Sequence, residues 1–173
     1  MAKKKGQSAT DEHATSFLGF ARQYQRAANL LYKTDKLLKA PTYFLYAHAM
    51  ELALKAFLRT ANIPIVADGK RKHHHITALY EECRDLGLRI GPDDRFDLRN
   101  VVVLLEGANE DEGLRYFKTK GSSLPDLSWT RDVVEKLLQT IEPIIKKKAG
   151  SDGIRPGVAV KFDLVFSKPT KKA

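Results

Sequence analysis

The sequence predicts an all-α protein with four to five helices and a short C-terminal β-strand. Through most of the chain, apolar residues recur at steps of three and four, which is typical of amphipathic helices. Only one segment, near the C-terminus, alternates with a period of two. The chain has 173 residues, of which 43% are hydrophobic and 29% charged. These values suit one domain with a buried core.

The first two predicted helices lie on either side of Pro41. An amphipathic pattern indicates a helix over about residues 14–39, and we expect Pro41 to end it and to open the next helix, because proline fits a first helical turn. The second helix, over about residues 42–61, is apolar on most of its sides. Such a helix is typically central and contacted by several others.

Three further helices are predicted, over about residues 75–87, 96–105 and 127–148. Gly87 stands in the usual position after a helix. The fourth helix contains a β-branched run that makes its period ambiguous. The alternation over 158–166 indicates a strand that needs a partner strand. Either Leu88–Ile90 supplies that partner within the chain or another subunit does.

The charge of the chain is concentrated at its ends. The formal net charge is +9. Residues 146–173 contain eight basic and two acidic residues, and residues 1–13 contain three basic and two acidic residues. We therefore expect a flexible basic arm over 1–13, a nearly balanced helical domain over 14–149 and a basic tail over 150–173. This distribution is a weaker nucleic-acid signal than a basic groove in the fold itself.

The sequence also excludes several classes of protein and site. No apolar run approaches the roughly 20 residues of a membrane-spanning helix, so we expect no membrane partner. The only cysteine is Cys83, and no secretory signal opens the chain, which favours the cytoplasm. The adjacent histidines His73–His75 have no acidic or cysteine ligand at useful spacing. We expect no metal site, and no motif indicates a cofactor.

The second helix contains a candidate site of three ionisable residues. His48 precedes Glu51 by three residues, a spacing that brings an imidazole and a carboxylate onto one helix face. The alternative is a core histidine that only hydrogen-bonds a carboxylate. Lys55 follows Glu51 by four residues, so the two are expected to pair with each other or with another helix if they are buried.

Further candidate ligand-binding residues lie outside that helix. His74 and His75 precede the third helix, and Arg115-Tyr116 lies in the irregular segment after the fourth. Arg99-Asn100 starts or interrupts the fourth helix. An arginine can hold a phosphate or carboxylate through two parallel hydrogen bonds. The alternatives are a helix-entry role for the histidines and solvent-exposed charges or internal ion pairs for the arginines.

Residues 41–58, with their Glu-Leu-x-Leu-Lys core, resemble the central helix of HEPN-like proteins. Residues 74–80 resemble a second landmark of that family, and Leu114–Phe117 a further one. The resemblance covers about residues 14–148. It implies an antiparallel bundle of four or five helices that usually dimerises. Many members are RNases of toxin–antitoxin, abortive-infection or CRISPR systems, whereas others are non-catalytic and bind nucleotides, RNA or a partner protein.

The sequence departs from the catalytic motif of that family. Catalytic members carry an arginine, four to six residues and then a histidine, which serve metal-independent attack by a ribose 2′-hydroxyl. Arg99 resembles the start of this motif, but the histidine positions hold Leu104, Leu105 and Glu106. We therefore predict a non-catalytic member that dimerises and binds a partner protein, RNA or a nucleotide, in a defence or toxin–antitoxin setting. The alternative is a degenerate RNase in which His48 or His74 acts with Arg99 or Arg115.

Overall fold

A computed structural model describes residues 13–35, 37–63, 65, 75–90, 98–109 and 123–151. These ranges contain five helices and no strand, which confirms the predicted all-α class. The helices are α1 Ala14–Thr34, α2 Lys39–Thr60, α3 Ile76–Asp85, α4 Leu98–Asn109 and α5 Leu127–Ser151. The predicted strand over 158–166, the arm over 1–12 and the tail after 151 lie outside the described residues.

The boundary between α1 and α2 differs from the prediction. α1 ends at Thr34, and α2 begins at Lys39, so Pro41 lies in the first turn of α2 and does not end α1. Asp35 has extended backbone angles, and its carboxylate accepts the N–H of Leu37 at 2.8 Å. This local hydrogen bond competes with helix continuation, whereas a proline in a first turn gives up no intrahelical bond.

The central position predicted for α2 is confirmed. α2 contacts each of the other four helices. Its large side chains Tyr46, Met50, Leu54 and Leu58 are fully buried at four-residue steps along one side of the helix, and Ala49 and Ala56 are fully buried on an adjacent side. They pack in one core with side chains of α5, α4 and α3. Because the apolar surface continues around α2, burial by several neighbours is the arrangement that removes most of it from water.

α1 and α5 are joined by a polar clamp at their surface. The guanidinium of Arg22 donates to Glu142 at 2.5 Å and to Glu135 at 3.2 Å. Gln25, which is buried, also donates to Glu135. These contacts connect residues more than a hundred positions apart and thereby fix α5 against the α1–α2 hairpin.

Candidate functional site

Three ionisable side chains of α2 form what we call the α2 cluster, which consists of His48, Glu51 and Lys55. The Nζ of Lys55 lies 2.6 Å from Oε1 of Glu51, and Nδ1 of His48 lies 3.5 Å from its Oε2. Glu51 and Lys55 are each only 8% exposed. The structure therefore brings together the three residues that the spacing on α2 predicted, as a buried ion pair with an imidazole beside it.

The carboxylate of Glu51 is held as an anion by its neighbours. Burial raises its pKa, but hydrogen bonds from His48 and Lys55, followed by the charges of the same two groups, outweigh burial and lower the pKa to about 2. At neutral pH Glu51 therefore accepts hydrogen bonds and has no proton to donate. This favours a structural role for the pair over general acid catalysis.

His48 is enclosed by aromatic rings as well as by Glu51. The ring of Tyr24 on α1 lies 4.4 Å away, centre to centre, at a right angle, and the ring of Phe44 lies nearly parallel at 6.1 Å. The side chain of His48 keeps 27% of its surface exposed. These contacts match the alternative stated for His48, a packed histidine oriented by a carboxylate, better than a free catalytic base.

A second polar site, the α3–α4 seam, consists of residues that pair across these two helices. Oε1 of Glu106 lies 2.5 Å from Nδ1 of His75, and its Oε2 accepts the backbone N–H of Thr77 at 2.7 Å. His75 immediately precedes α3 and makes no side-chain cap of its own. Glu106 of α4 thus satisfies a free N–H of the first turn of α3 from across the seam.

Arg99 lies at the other end of the same seam. Its Nε is 3.5 Å from Oε1 of Glu81, whose Oε2 pairs with Arg84 at 2.7 Å. The side chain of Arg99 is 59% exposed, and Asn100 beside it is exposed as well. Arg99 and Glu106 are seven residues apart and so share a face of α4, which runs antiparallel to α3.

Glu106 is the residue of the seam that the sequence analysis did not include among the candidates. Burial raises its pKa, but hydrogen bonds from Thr77 and then from His75 outweigh burial, so the pKa lies below its ordinary value. The available signal was an acidic residue at the end of an otherwise apolar run of α4. Its contacts could not be predicted from the sequence, because they form only when α3 packs against α4 and His75 is 31 positions away in the chain.

The structure does not gather the predicted candidates into one cleft. His48, Glu51 and Lys55 lie on α2, whereas His75 and Arg99 lie on the α3–α4 seam. Within the described ranges, no hydrogen bond or ion pair joins the two sites. The other candidates, His74, Arg115 and Tyr116, lie outside the described residues.

A cavity of about 550 Å³ lies at the corner between α1 and α2, beside the start of α5. Its walls come from three places: the end of α1, the connection into α2 with its first turn, and the residues that begin α5. The lining residues are Tyr32, Lys33, Asp35, Leu38, Lys39, Thr42, Tyr43, Asp126, Leu127 and Ser128. Sequence reasoning missed this cavity, because no motif marks it and its walls are about 90 residues apart in the chain.

Among the described residues, no group of three or more histidine, cysteine or acidic side chains is placed to hold a metal ion. None of the helices in the described ranges is both long enough and apolar enough to span a membrane. A family model for the HEPN domain matches residues 14–151. No curated protein and no solved structure matches the chain.

Proposed function

Because the chain belongs to the HEPN domain family, we propose that it is a non-catalytic member that dimerises and binds a partner protein, RNA or a nucleotide. The proposal includes action in the cytoplasm, in a defence or toxin–antitoxin setting, as the resemblance to the family implies. The observation that best supports the non-catalytic assignment is that Glu106 is ionised and already paired within the fold.

Glu106 stands at the last of the three positions where the catalytic histidine of the family would follow Arg99. It is an anion paired with His75 and with the N–H of Thr77. An anion at this position repels the phosphate that a ribonuclease must bind, and it is already engaged within the fold. Arg99 pairs with Glu81 across the same seam. These pairs support a seam that joins helices and does no chemistry on RNA.

The test is an RNA-cleavage assay with the full chain in EDTA. We expect no cleavage above a protein-free control, and the same result for Arg99→Ala. Metal-independent cleavage that disappears in Arg99→Ala would overturn the non-catalytic assignment. Cleavage that disappears in His48→Ala, with Arg99→Ala unaffected, would overturn it in favour of a site on the α2 cluster.

The proposed dimer uses the edge of α2 that the other helices leave half-buried. Phe44, His48 and Leu52 follow one another at four-residue steps along this edge, and all three are partly exposed, as is Leu45 beside them. A strip of large apolar and aromatic side chains on a central helix is typical of a surface that a second copy covers.

Light scattering tests this interface directly. We expect a concentration-dependent dimer for the wild-type chain and a monomer for Leu52→Glu. The matched control is Val103→Glu, which places the same charge at a side chain of α4 that is 44% exposed. Circular dichroism checks that both variants are folded. A wild-type chain that stays monomeric, or a Leu52→Glu variant that is folded and dimeric, would contradict this interface.

A further inference from the structure

The strip of α2 through which the dimer is proposed to form contains one titratable side chain. Phe44, His48 and Leu52 follow one another at four-residue steps, so the imidazole lies between an aromatic ring and a leucine along the helix. The side chain of His48 keeps 27% of its surface exposed, so water reaches it in a single copy. In a two-fold dimer the same strip of both copies meets, and this surface is removed from water in each.

The imidazole of His48 is held in place by neighbours within its own copy. The ring of Phe44 is nearly parallel to it, with the ring centres 6.1 Å apart, and the ring of Tyr24 on α1 meets it at a right angle at 4.4 Å. Nδ1 of His48 also lies 3.5 Å from Oε2 of Glu51. To turn away from the strip, the imidazole must give up two aromatic contacts and its contact with a carboxylate.

The charges around the imidazole cancel while the imidazole is neutral. Glu51 is an anion with a pKa of about 2, and the cation of Lys55 lies 2.6 Å from it. From α1, the titratable group in contact with the imidazole is Tyr24. The remaining residues one turn from His48 on α2, and those one turn from Tyr24 on α1, are uncharged. A proton on His48 therefore gives this part of each copy a net positive charge.

We propose that His48 makes the dimer sensitive to pH, because the neutral imidazole packs between two copies whereas the protonated imidazole weakens their association. The proposal rests on the dimer proposed above and names a regulation of the same interface. Histidine is the side chain whose ordinary change of charge falls between pH 5 and 8. In the dimer, a protonated His48 loses water and meets the same charge on the other copy. The single negative charge of Glu51 is already balanced by Lys55, so it leaves this second cation uncompensated.

The test is analytical ultracentrifugation of the full chain over a range of concentrations at pH 7.5 and at pH 5.5. The dissociation constant of the wild-type dimer is expected to be about tenfold larger at pH 5.5, because two imidazoles must release a proton for each dimer that forms. His48→Gln keeps a polar side chain beside Glu51 but cannot gain a charge, so its dissociation constant is expected to be equal at both pH values. Circular dichroism checks that each chain is folded at pH 5.5.

The matched control is His75→Gln, which removes another partly exposed histidine that lies beside a glutamate. His75 pairs with Glu106 on the α3–α4 seam, away from the strip, so this variant is expected to keep the full pH dependence of the wild-type chain. A second variant, His48→Arg, places a permanent cation at the same position. It is expected to dimerise at pH 7.5 as weakly as the wild-type chain does at pH 5.5.

A wild-type dimer that is equally tight at both pH values, or tighter at pH 5.5, would overturn the proposal. So would a pH dependence that survives in His48→Gln or disappears in His75→Gln, or a folded His48→Arg variant that dimerises at pH 7.5 as tightly as the wild-type chain. Each of these results leaves the proposed dimer standing. A chain that is monomeric at both pH values would refute the dimer and its pH sensitivity together.

Discussion

Replacing Lys55 by methionine is expected to destabilise the protein strongly, because the substitution leaves Glu51 buried without its cation. Lys55 lies 2.6 Å from Glu51, and both are 8% exposed. Removing one partner of a buried ion pair leaves an uncompensated charge, whereas replacing both partners by neutral side chains is often nearly neutral. Lys55→Met keeps the length of the aliphatic chain and so isolates the loss of the charge.

The size of the effect follows from the pKa of Glu51. The fall of this pKa from 4.5 to about 2 corresponds to about 3 kcal/mol of stability, at about 1.4 kcal/mol for each pKa unit. This contribution is fully present above pH 4.5 and is lost as the pH falls toward 2. Lys55 supplies a large part of it, so we expect Lys55→Met to lose about 2–4 kcal/mol at pH 7.

The matched control is Lys146→Met on α5. Lys146 pairs with Glu142 in the same order and at the same four-residue spacing, 2.7 Å apart, but its side chain is 60% exposed. An exposed pair of this kind contributes about 0.3–0.5 kcal/mol. The two substitutions differ in burial, and Glu142 also keeps Arg22 as a cationic partner, which further limits the loss expected for Lys146→Met.

The measurement is urea unfolding followed by circular dichroism at pH 7 and at pH 3. The free energy of unfolding of Lys55→Met is expected to fall well below that of Lys146→Met at pH 7. Its gap from the wild-type chain is expected to narrow at pH 3, where protonation of Glu51 removes the unpaired charge. The double variant Glu51→Gln/Lys55→Met is expected to recover most of the loss. Equal losses for Lys55→Met and Lys146→Met at pH 7, or a gap that does not change with pH, would refute the reasoning.

Three further substitutions, two of them with a control variant, test the fold by the same unfolding measurement. Arg22→Ala removes the clamp between α1 and α5 and is expected to lose about 1–3 kcal/mol, whereas Arg26→Ala, at an exposed position of α1, is expected to lose less than about 0.5 kcal/mol. Gly87→Ala places a side chain at φ +93° after α3, so its free energy of unfolding is expected to fall by about 1–2 kcal/mol. Gly107→Ala lies inside α4 with open space around it, and its free energy of unfolding is expected to rise by about 0.5–1 kcal/mol. Leu138→Ala in the fully buried core is expected to lose about 2–5 kcal/mol, and a loss below about 1 kcal/mol would contradict the packing described for α5.

The helices were predictable from the sequence because the spacing of apolar residues is a local property. α2 is the clearest case, since its residues are apolar on most sides and only a central position buries them all. The end of α1 was predicted incorrectly, because the amphipathic pattern continues through Leu38 beyond Thr34, where the helix ends. The extended backbone of Asp35 and its hydrogen bond to the following turn decided that boundary.

The contacts of the candidate sites show the same difference: local contacts were predictable from the sequence, and long-range contacts were not. The pairing of Glu51 with His48 and Lys55 was predictable, because all three lie within two turns of one helix. The pairing of Glu106 with His75 was not, because it depends on the antiparallel docking of α4 on α3. Helix periodicity indicates which face of α4 is buried, but it does not indicate which residue of α3 lies opposite.

The charge of the domain shows how averaging over the chain conceals a difference between its segments. Residues 14–145 contain 19 basic and 17 acidic residues, which made the body nearly neutral in the sequence analysis. The hairpin of α1 and α2, residues 14–60, contains seven basic and two acidic residues. Residues 61–145 contain 12 basic and 15 acidic residues. The net positive charge of the domain therefore comes from residues 14–60. Lys33 and Lys39 belong to this segment, but the cavity that they line also contains Asp35 and Asp126, so its lining has no net charge.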